Sequence, residues 1–79
     1  MRLEYYIDVT RVRKYVKGVR VSRWWTRIKA RNHKILWSSE IINTKRSAFK
    51  PVNDFVKNVG KTKCRVTYYD KINKTKEIV

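Results

Sequence analysis

A run of basic residues dominates the first half of the chain. Ten Lys and Arg side chains, and no Asp or Glu, lie between Asp8 and Glu40, with Trp24 and Trp25 in the middle of the run. Cations bind phosphate oxygens, and indole rings stack on bases or sugars. Because a block of like charge destabilises a small domain through self-repulsion, its presence indicates a polyanionic partner. With a net charge of +15 on 79 residues, we predict that the chain binds nucleic acid, either DNA or RNA.

The candidate nucleic-acid-binding residues form two groups. Four of them alternate along a predicted strand, an indole followed by three cations that share one face. The others lie in the basic segment before that strand, where a ribbon could enter a groove. Together they are Arg11, Arg13, Lys14, Lys17, Arg20, Arg23, Trp25, Arg27, Lys29 and Arg31. The alternative for the first group is a solvated sheet face on which Trp25 covers a neighbouring strand or the dimer interface. For the second it is a mobile, solvated loop.

Residues suited to catalysis or metal binding are few. The single histidine, His33, falls in a predicted turn, and Cys64 alternates with Val66 and Tyr68 on an apolar strand face, which favours a buried structural thiol. One Cys and one His fall short of a four-ligand zinc site. The six carboxylates include no adjacent pair suited to acid and base roles. We therefore expect no enzymatic activity, no metal and no cofactor.

The size and composition of the chain limit the kinds of fold that it can adopt. A chain of 79 residues makes one domain, and 42% hydrophobic content with ten aromatic residues excludes a disordered tail. So small a domain buries only roughly 60% of its unfolded surface, and one cysteine allows no intrachain disulfide. Self-association is the remaining source of burial, so we predict a homodimer. No signal-peptide or membrane-spanning stretch is evident, and the unpaired cysteine suits a reducing compartment, so we expect a cytoplasmic protein.

Strands account for most of the predicted elements. Alternating apolar residues predict strands over residues 3–9, 23–31, 34–42 and 63–69, with a short edge strand over 75–79. Residues 10–22 are predicted to form a basic excursion, a β-ribbon, between the first two strands. Residues 31–34 predict a tight turn in which Asn32 tolerates a positive φ. Trp24 and Trp37 are expected in the core.

One helix is predicted after the third strand. Thr44 can cap it, and an apolar stripe follows at helical spacing: Ala48, Val52, Phe55, Val56 and Val59. Pro51 lacks an amide donor, so either the helix begins near Ser47 or it is kinked at the proline. Asn58 and Gly60 are predicted to end it.

Residues 25–59 resemble the YegP-like family of small bacterial and phage domains. The resemblance is carried by Arg27-Ile28-Lys29-Ala30, Asn32, Ser38-Ser39-Glu40, Thr44-Lys45, Ala48 and Val56-Lys57-Asn58. Two features depart from the family's pattern, since His33 replaces a turn glycine and Pro51 enters the helix. The segment from about 10 to 22 reads as a basic insertion.

The resemblance implies a unit of three strands, a helix and a strand that occurs as tandem repeats or as a dimer with the C-terminal strand exchanged. We therefore predict a single α+β domain over residues 1–79. It would have an antiparallel sheet of three strands, one helix, then a further strand or hairpin, and it would form a dimer with a shared sheet. The family implies no settled biochemical role, so the functional prediction comes from the residues.

The leading functional prediction is a small basic protein that binds nucleic acid through its phosphate backbone with limited sequence preference. One alternative is a protein-interaction module or inhibitor, of the kind phages encode, that docks on an acidic host protein. In that case loss of Tyr15, Val16 or Val19 should matter as much as loss of charge. Another alternative is capture of an anionic nucleotide in a dimer cleft.

Overall fold

The structure, a computed structural model, describes residues 3–79 as one sheet with one helix. The strands are β1 (Tyr5–Val16), β2 (Val19–Ala30), β3 (Ile35–Ser38), β4 (Cys64–Asp70) and β5 (Thr75–Ile78). The helix α1 (Lys45–Val59) lies between β3 and β4 in the chain, and a short 3-10 turn follows it at Lys61–Lys63. The predicted α+β class and the predicted order of elements are confirmed.

The sheet differs from the predicted antiparallel arrangement of three strands. It has five strands in the order β3-β2-β1-β4-β5. Strand β1 pairs antiparallel with β2 on one side and parallel with β4 on the other. The reason is the helix, which carries the chain across the sheet from the β3 edge, so that β4 runs in the same direction as β1. Strand β5 then pairs antiparallel with β4 as a hairpin.

The basic segment at 10–22 continues the two strands on either side of it. Strands β1 and β2 are each 12 residues long and are in register throughout, from the Tyr5–Ala30 pair to the Val16–Val19 pair. Lys17 and Gly18 form the two-residue loop, with φ angles of 51° and 79°. Two consecutive positive φ angles characterise the turn that matches the twist of a hairpin. The predicted β-ribbon is confirmed, and it gives the molecule a long dimension of 46 Å.

The core lies between the sheet and α1. Its buried apolar side chains come from three strands and the helix: Ile7, Val9, Ile28, Ala48, Val52 and Tyr68. Thr26 is also fully buried, and its Oγ1 donates a 2.7 Å hydrogen bond to the Ala48 carbonyl. Trp24 packs against this core as predicted. Trp37 does not, because it lies on the edge strand β3 and is 43% exposed.

The helix boundaries follow its capping residues. The Thr44 hydroxyl accepts a 3.2 Å hydrogen bond from the Ser47 amide, and Gly60 ends the helix with a φ of 102°. The helix begins at Lys45, not near Ser47, so Pro51 is its seventh residue. A proline at this point leaves the Ser47 carbonyl without its helical donor.

The β2–β3 connection is the predicted tight turn, with one difference. The residue with positive φ is His33 (66°), while the Asn32 side chain accepts a 3.1 Å hydrogen bond from the Lys34 amide. Strand β3 ends at Ser38, and Ile42 makes only an isolated bridge to Trp24. Over residues 3–79, no helix combines the length and apolar character needed to cross a membrane.

Candidate nucleic-acid interface

The two faces of the sheet differ in what covers them. The only helix in the described part of the chain packs on one face. On the opposite face, which we call the open face, point the side chains that alternate with the core residues. Where β1 pairs with both β2 and β4, over residues 5–11, they are Tyr6, Asp8, Thr10, Trp25, Arg27, Lys29, Arg65, Thr67 and Tyr69. The open face therefore combines three aromatic rings with three cations and one carboxylate.

Strand register orders these side chains into rows. Thr10 pairs with Trp25 on β2 and with Tyr69 on β4, so the small Thr10 lies between two rings. Tyr6 pairs with Lys29 and Arg65 in the same way, so a ring lies between two cations. The two rows are four residues apart along β1, which is about 13 Å in a strand.

Cationic side chains lie against two of the rings on the open face. The guanidinium of Arg27 is 5.6 Å from the centroid of Trp25, and the ammonium of Lys71 is 5.5 Å from it. The ammonium of Lys76, on β5, is 5.4 Å from the centroid of Tyr69. Such contacts hold flexible cations near a ring through its quadrupole. The open face therefore presents its charges beside its aromatic rings.

The imidazole of His33 stacks on the third ring, Tyr6. The two centroids are 4.7 Å apart and the ring planes differ by 27°. His33 thus reaches the open face from the β2–β3 turn, and it is the positive φ at His33 that shapes this turn.

A shallow depression of about 220 Å³ lies on the open face between Tyr6 and Tyr69. Its lining includes three cations, one carboxylate and two tyrosine rings: Tyr6, Asp8, Lys29, His33, Arg65, Thr67, Tyr69, Lys76 and Ile78. Small-molecule sites usually enclose about 300 to 1,000 Å³. The depression is smaller, so it suits one unit of an extended ligand better than an enclosed small molecule.

Two of the predicted binding cations are paired within the chain. Lys29 Nζ lies 2.8 Å from Asp8 Oδ2 on the open face. Arg11 Nη1 lies 3.0 Å from Asp70 Oδ2, and Arg11 Nε and Nη2 both donate hydrogen bonds to the Ser22 hydroxyl. The Arg11 guanidinium also lies 6.0 Å from the centroid of the Trp24 ring. With each side of its guanidinium engaged, Arg11 has a structural role at the start of the ribbon.

Asp70 is the centre of the network that holds Arg11. Its Oδ1 accepts hydrogen bonds from the amides of Ile72 and Asn73, and its Oδ2 accepts from Arg11 and from the Asn73 side chain. The pKa of Asp70 is lowered, and the largest cause is the hydrogen bond from the Asn73 backbone amide. Burial raises this pKa, but the hydrogen bond and the positive charge of Arg11 lower it further. The carboxylate form is therefore favoured in the folded state.

The other predicted cations lie mostly on the ribbon, whose residues 11–23 we call the arm. The exposed cations of the arm are Arg13, Lys14, Lys17 and Arg20. No carboxylate among residues 3–79 makes an ion pair with them. Arg23 is half-buried and donates to the Ser22 carbonyl at 2.9 Å. The arm thus carries four free positive charges near its tip.

The predicted site residues therefore divide among three places. Trp25, Arg27 and Lys29 share the open face as alternation predicted, and Arg23 lies on the same side of β2. Arg31 lies apart, exposed in the turn after β2. Four further residues of the open face were not predicted from the sequence: Tyr6, Arg65, Tyr69 and Lys76. Alternation with Cys64, Val66 and Tyr68 places Arg65 and Tyr69 on one strand face, but nothing in the sequence indicated that β4 lies beside β1.

No family model matches this chain, and neither does any curated protein or any solved structure. The resemblance to the YegP-like family stays a prediction.

Of the two residues considered for catalysis or metal binding, His33 stacks on Tyr6 at the open face, whereas Cys64 lies on the other side of the sheet. Burial, with a contribution from the negative charge of Glu4, raises the pKa of the Cys64 thiol, so little thiolate forms at neutral pH. Cys64 lines an apolar groove of about 460 Å³ between α1 and β4, together with Phe49, Val52, Val56, Val66 and Val79. Within residues 3–79, no three His, Cys, Asp or Glu side chains cluster closely enough to hold a metal ion.

Proposed function

We propose that this protein binds nucleic acid, mainly through contacts with the phosphate backbone and with limited sequence preference. The observation that carries the proposal is the concentration of free cations on the arm and the open face. The only carboxylate on the central strands of that face, Asp8, is already paired with Lys29. Free cations on a surface that lacks competing carboxylates are available to phosphate oxygens.

The two surfaces suit different parts of a nucleic acid. The arm is a two-stranded ribbon, an element that the major groove of a duplex admits. Its exposed cations include Arg13 and Arg20 on the helix side and Lys14 on the open-face side. The open face adds Arg27, Arg65 and Lys76. If about five phosphates are neutralised, the plot of log affinity against log salt should have a slope of about −4 to −5 for duplex DNA.

The test is salt-dependent binding of nuclease-treated protein to labelled duplex DNA, single-stranded DNA and RNA. Replacing Arg13 and Arg27 together by Ala should flatten the slope by about two. The matched control is Arg46→Ala with Lys50→Ala, two exposed cations on α1 on the other side of the sheet, which should leave the slope nearly unchanged. Weak binding to all three probes at moderate salt, or equal effects of the two double variants, would contradict the proposal.

A second candidate function is docking on an acidic protein through the tip of the arm. The observation that favours it is apolar exposure, because Tyr15, Val16 and Val19 are 67%, 43% and 61% exposed beside the free cations. Exposed apolar residues at a loop tip fit a partner's groove better than a phosphate backbone. A pull-down from nuclease-treated lysate tests it. Capture of an acidic protein that Tyr15→Ser with Val19→Ser abolishes would favour this function over nucleic-acid binding.

We also propose that the protein is a homodimer that joins two sheets at the β3 edge. Leu36 and Trp37 are 54% and 43% exposed on this strand, whose outer backbone groups have no partner strand among the described residues. Residues 35–44 form the longest stretch of the chain without Lys or Arg. Two copies of charge +15 repel each other, so they meet most easily where positive charge is lowest. An antiparallel β3–β3 contact about a two-fold axis would extend the sheet across both copies.

Sedimentation equilibrium tests the dimer. Leu36→Lys should produce a monomer, because the new charge would lie against its own symmetry mate. The matched control is Ile78→Lys on the opposite edge strand, where an apolar side chain is 64% exposed, and it should leave the dimer intact. A monomeric wild-type protein, or a dimer lost only in the Ile78 variant, would contradict the β3 contact.

A further inference from the structure

We propose that the open face binds single-stranded nucleic acid, with unpaired bases stacked on Trp25 and Tyr69 and the strand continuing past Tyr6, whose ring already stacks on His33. This inference rests on the proposed nucleic-acid function and adds the form of the ligand and the place where its bases lie. An aromatic side chain can stack only on a base whose face is free, and the base faces of a duplex are covered by their neighbours.

The width of the open face also favours a single strand. Neighbouring strands lie about 4.8 Å apart, so five strands span about 19 Å between the outermost backbones. The major groove of B-DNA is about 12 Å wide. The two-stranded arm can enter such a groove, but the sheet cannot. A flexible single strand has no groove to match and can lie across the sheet surface.

Ring spacing on the face allows several bases to be held. Trp25 and Tyr69 are on either side of β1, two strand spacings or about 10 Å apart. The residue between them is Thr10, whose short side chain does not rise between the rings. Tyr6 lies about 13 Å further along β1. The three rings therefore mark the corners of a surface wide enough for successive nucleotides.

The cations beside the rings would take the phosphates of the same strand. Lys71 and Lys76 are exposed, and their ammonium groups approach Trp25 and Tyr69 from flexible side chains. A base that stacks on a ring displaces the ammonium from the ring and leaves it next to the phosphate of that nucleotide. Arg65, beside Tyr6, is likewise exposed. Ring and charge thus act on the same nucleotide, and because every base has a stacking face, this mode is tolerant of sequence.

The depression between Tyr6 and Tyr69 contains polar groups that could form hydrogen bonds with the edge of a base. Thr67 and the paired Asp8 and Lys29 line it, and each presents a hydrogen-bonding atom. Its volume of about 220 Å³ suits one nucleotide of a strand that continues beyond it. We expect a modest base preference here and none at Trp25.

The experiment compares three probes of equal length, oligo(dT), oligo(rU) and a DNA duplex, each of about 12 nucleotides per strand. Trp25→Leu and Tyr69→Leu keep an apolar side chain over Thr10 while they remove the ring. Each should weaken binding to the single strands about tenfold without a change in the salt slope, because no phosphate contact is lost. Tyr15→Leu on the arm, an exposed ring away from the open face, is the matched control and should have little effect on single strands.

A fluorescence measurement tests the inference without relying on the folding of the Leu variants. In the double variant Trp24→Phe with Trp37→Phe, Trp25 is the only indole, and oligo(dT) or oligo(rU) should quench it while the duplex does not. Quenching by the single strands supports the inference, and its absence during saturable binding overturns it. Duplex preference with no effect of the ring variants would also overturn it while leaving the proposed function intact. Failure to bind any probe would remove the function as well.

Discussion

The Arg11 guanidinium lies 3.0 Å from the Asp70 carboxylate and joins the beginning of the arm to the end of β4. The two residues are 59 positions apart in the chain, and parallel pairing of β1 with β4 brings them into register. In the sequence, Arg11 is one of ten cations in a run without carboxylates. In the fold it is neutralised, and the free charge of the arm begins at Arg13.

This difference predicts opposite phenotypes for two arginines of the same strand. Arg11→Met should lower the melting temperature, because it leaves Asp70 with one partner fewer, and should change the salt slope of nucleic-acid binding little. Arg13→Met should keep the melting temperature and flatten the slope by about 0.7 to 0.9, the contribution of one phosphate contact. Thermal melts and a salt titration on both variants would distinguish them. The reverse result would mean that Arg11 leaves Asp70 to bind phosphate.

The Asp70 network predicts acid sensitivity. Because the hydrogen bonds from Asn73 and Arg11 hold the pKa of Asp70 below its ordinary value, the native state binds this proton less readily than the unfolded state, where the pKa is about 3.9. The stability from this group is fully present above that value and is lost as the pH falls through the lowered native pKa. We expect the melting temperature to fall below about pH 4. Asp70→Asn should weaken this dependence, whereas Asp54→Asn on α1 should preserve it.

Thr26 offers a test of the contact between sheet and helix. Its buried hydroxyl donates to the Ala48 carbonyl at 2.7 Å. Thr26→Val preserves the side-chain shape and leaves that carbonyl without this donor, which should cost about 1 to 3 kcal/mol in the free energy of unfolding. Thr26→Ser keeps the donor and loses a methyl group, so it should cost less. Urea denaturation measures both variants, and equal stability of Thr26→Val and wild type would show that the hydrogen bond adds nothing.

The turn at the tip of the arm predicts a stabilising substitution. Lys17 has a φ of 51° before Gly18, a conformation that Asn adopts more readily than Lys. Lys17→Asn should therefore raise stability by a few tenths of a kcal/mol while it removes one cation from the tip. Gly18→Val should have the opposite effect, because a β-branched residue is strained at a φ of 79°. Amide exchange in the arm would report both changes.

Local chemistry was enough to predict the elements of the fold. Alternation gave the faces of β1 and β2, Thr44 and Gly60 marked the two ends of α1, and the basic ribbon was correctly predicted as strand. For Pro51 the sequence left two interpretations open, a helix start near Ser47 or a kink, and the observed start at Lys45 differs from the first by two residues. In the fold, α1 is held by Ala48 and Val52 in the core, and tertiary packing of this kind outweighs one lost hydrogen bond.

The strand order could not be predicted, and the candidate site depended on it. Pairing between β1 and β4 joins residues 59 positions apart, and no local pattern encodes which strand edge β4 will occupy. Alternation along β2 therefore predicted Trp25, Arg27 and Lys29, but not Tyr69 and Arg65, which reach the same face from β4. Trp37 was placed in the core because it fell on a predicted strand face with apolar neighbours, whereas β3 is an edge strand on which Trp37 is 43% exposed.

The central position of β1 has a consequence for the folding pathway. Its pairing with β2 closes through a two-residue turn, and a hairpin of this kind forms in about 1 to 10 μs. Its other edge pairs only after the helix and β4 have been added, because parallel partners require the long crossover. During that interval the edge of β1 is open to strands of other nascent chains. We infer that the cations of the hairpin oppose such pairing, because like charges on two unfinished molecules repel each other.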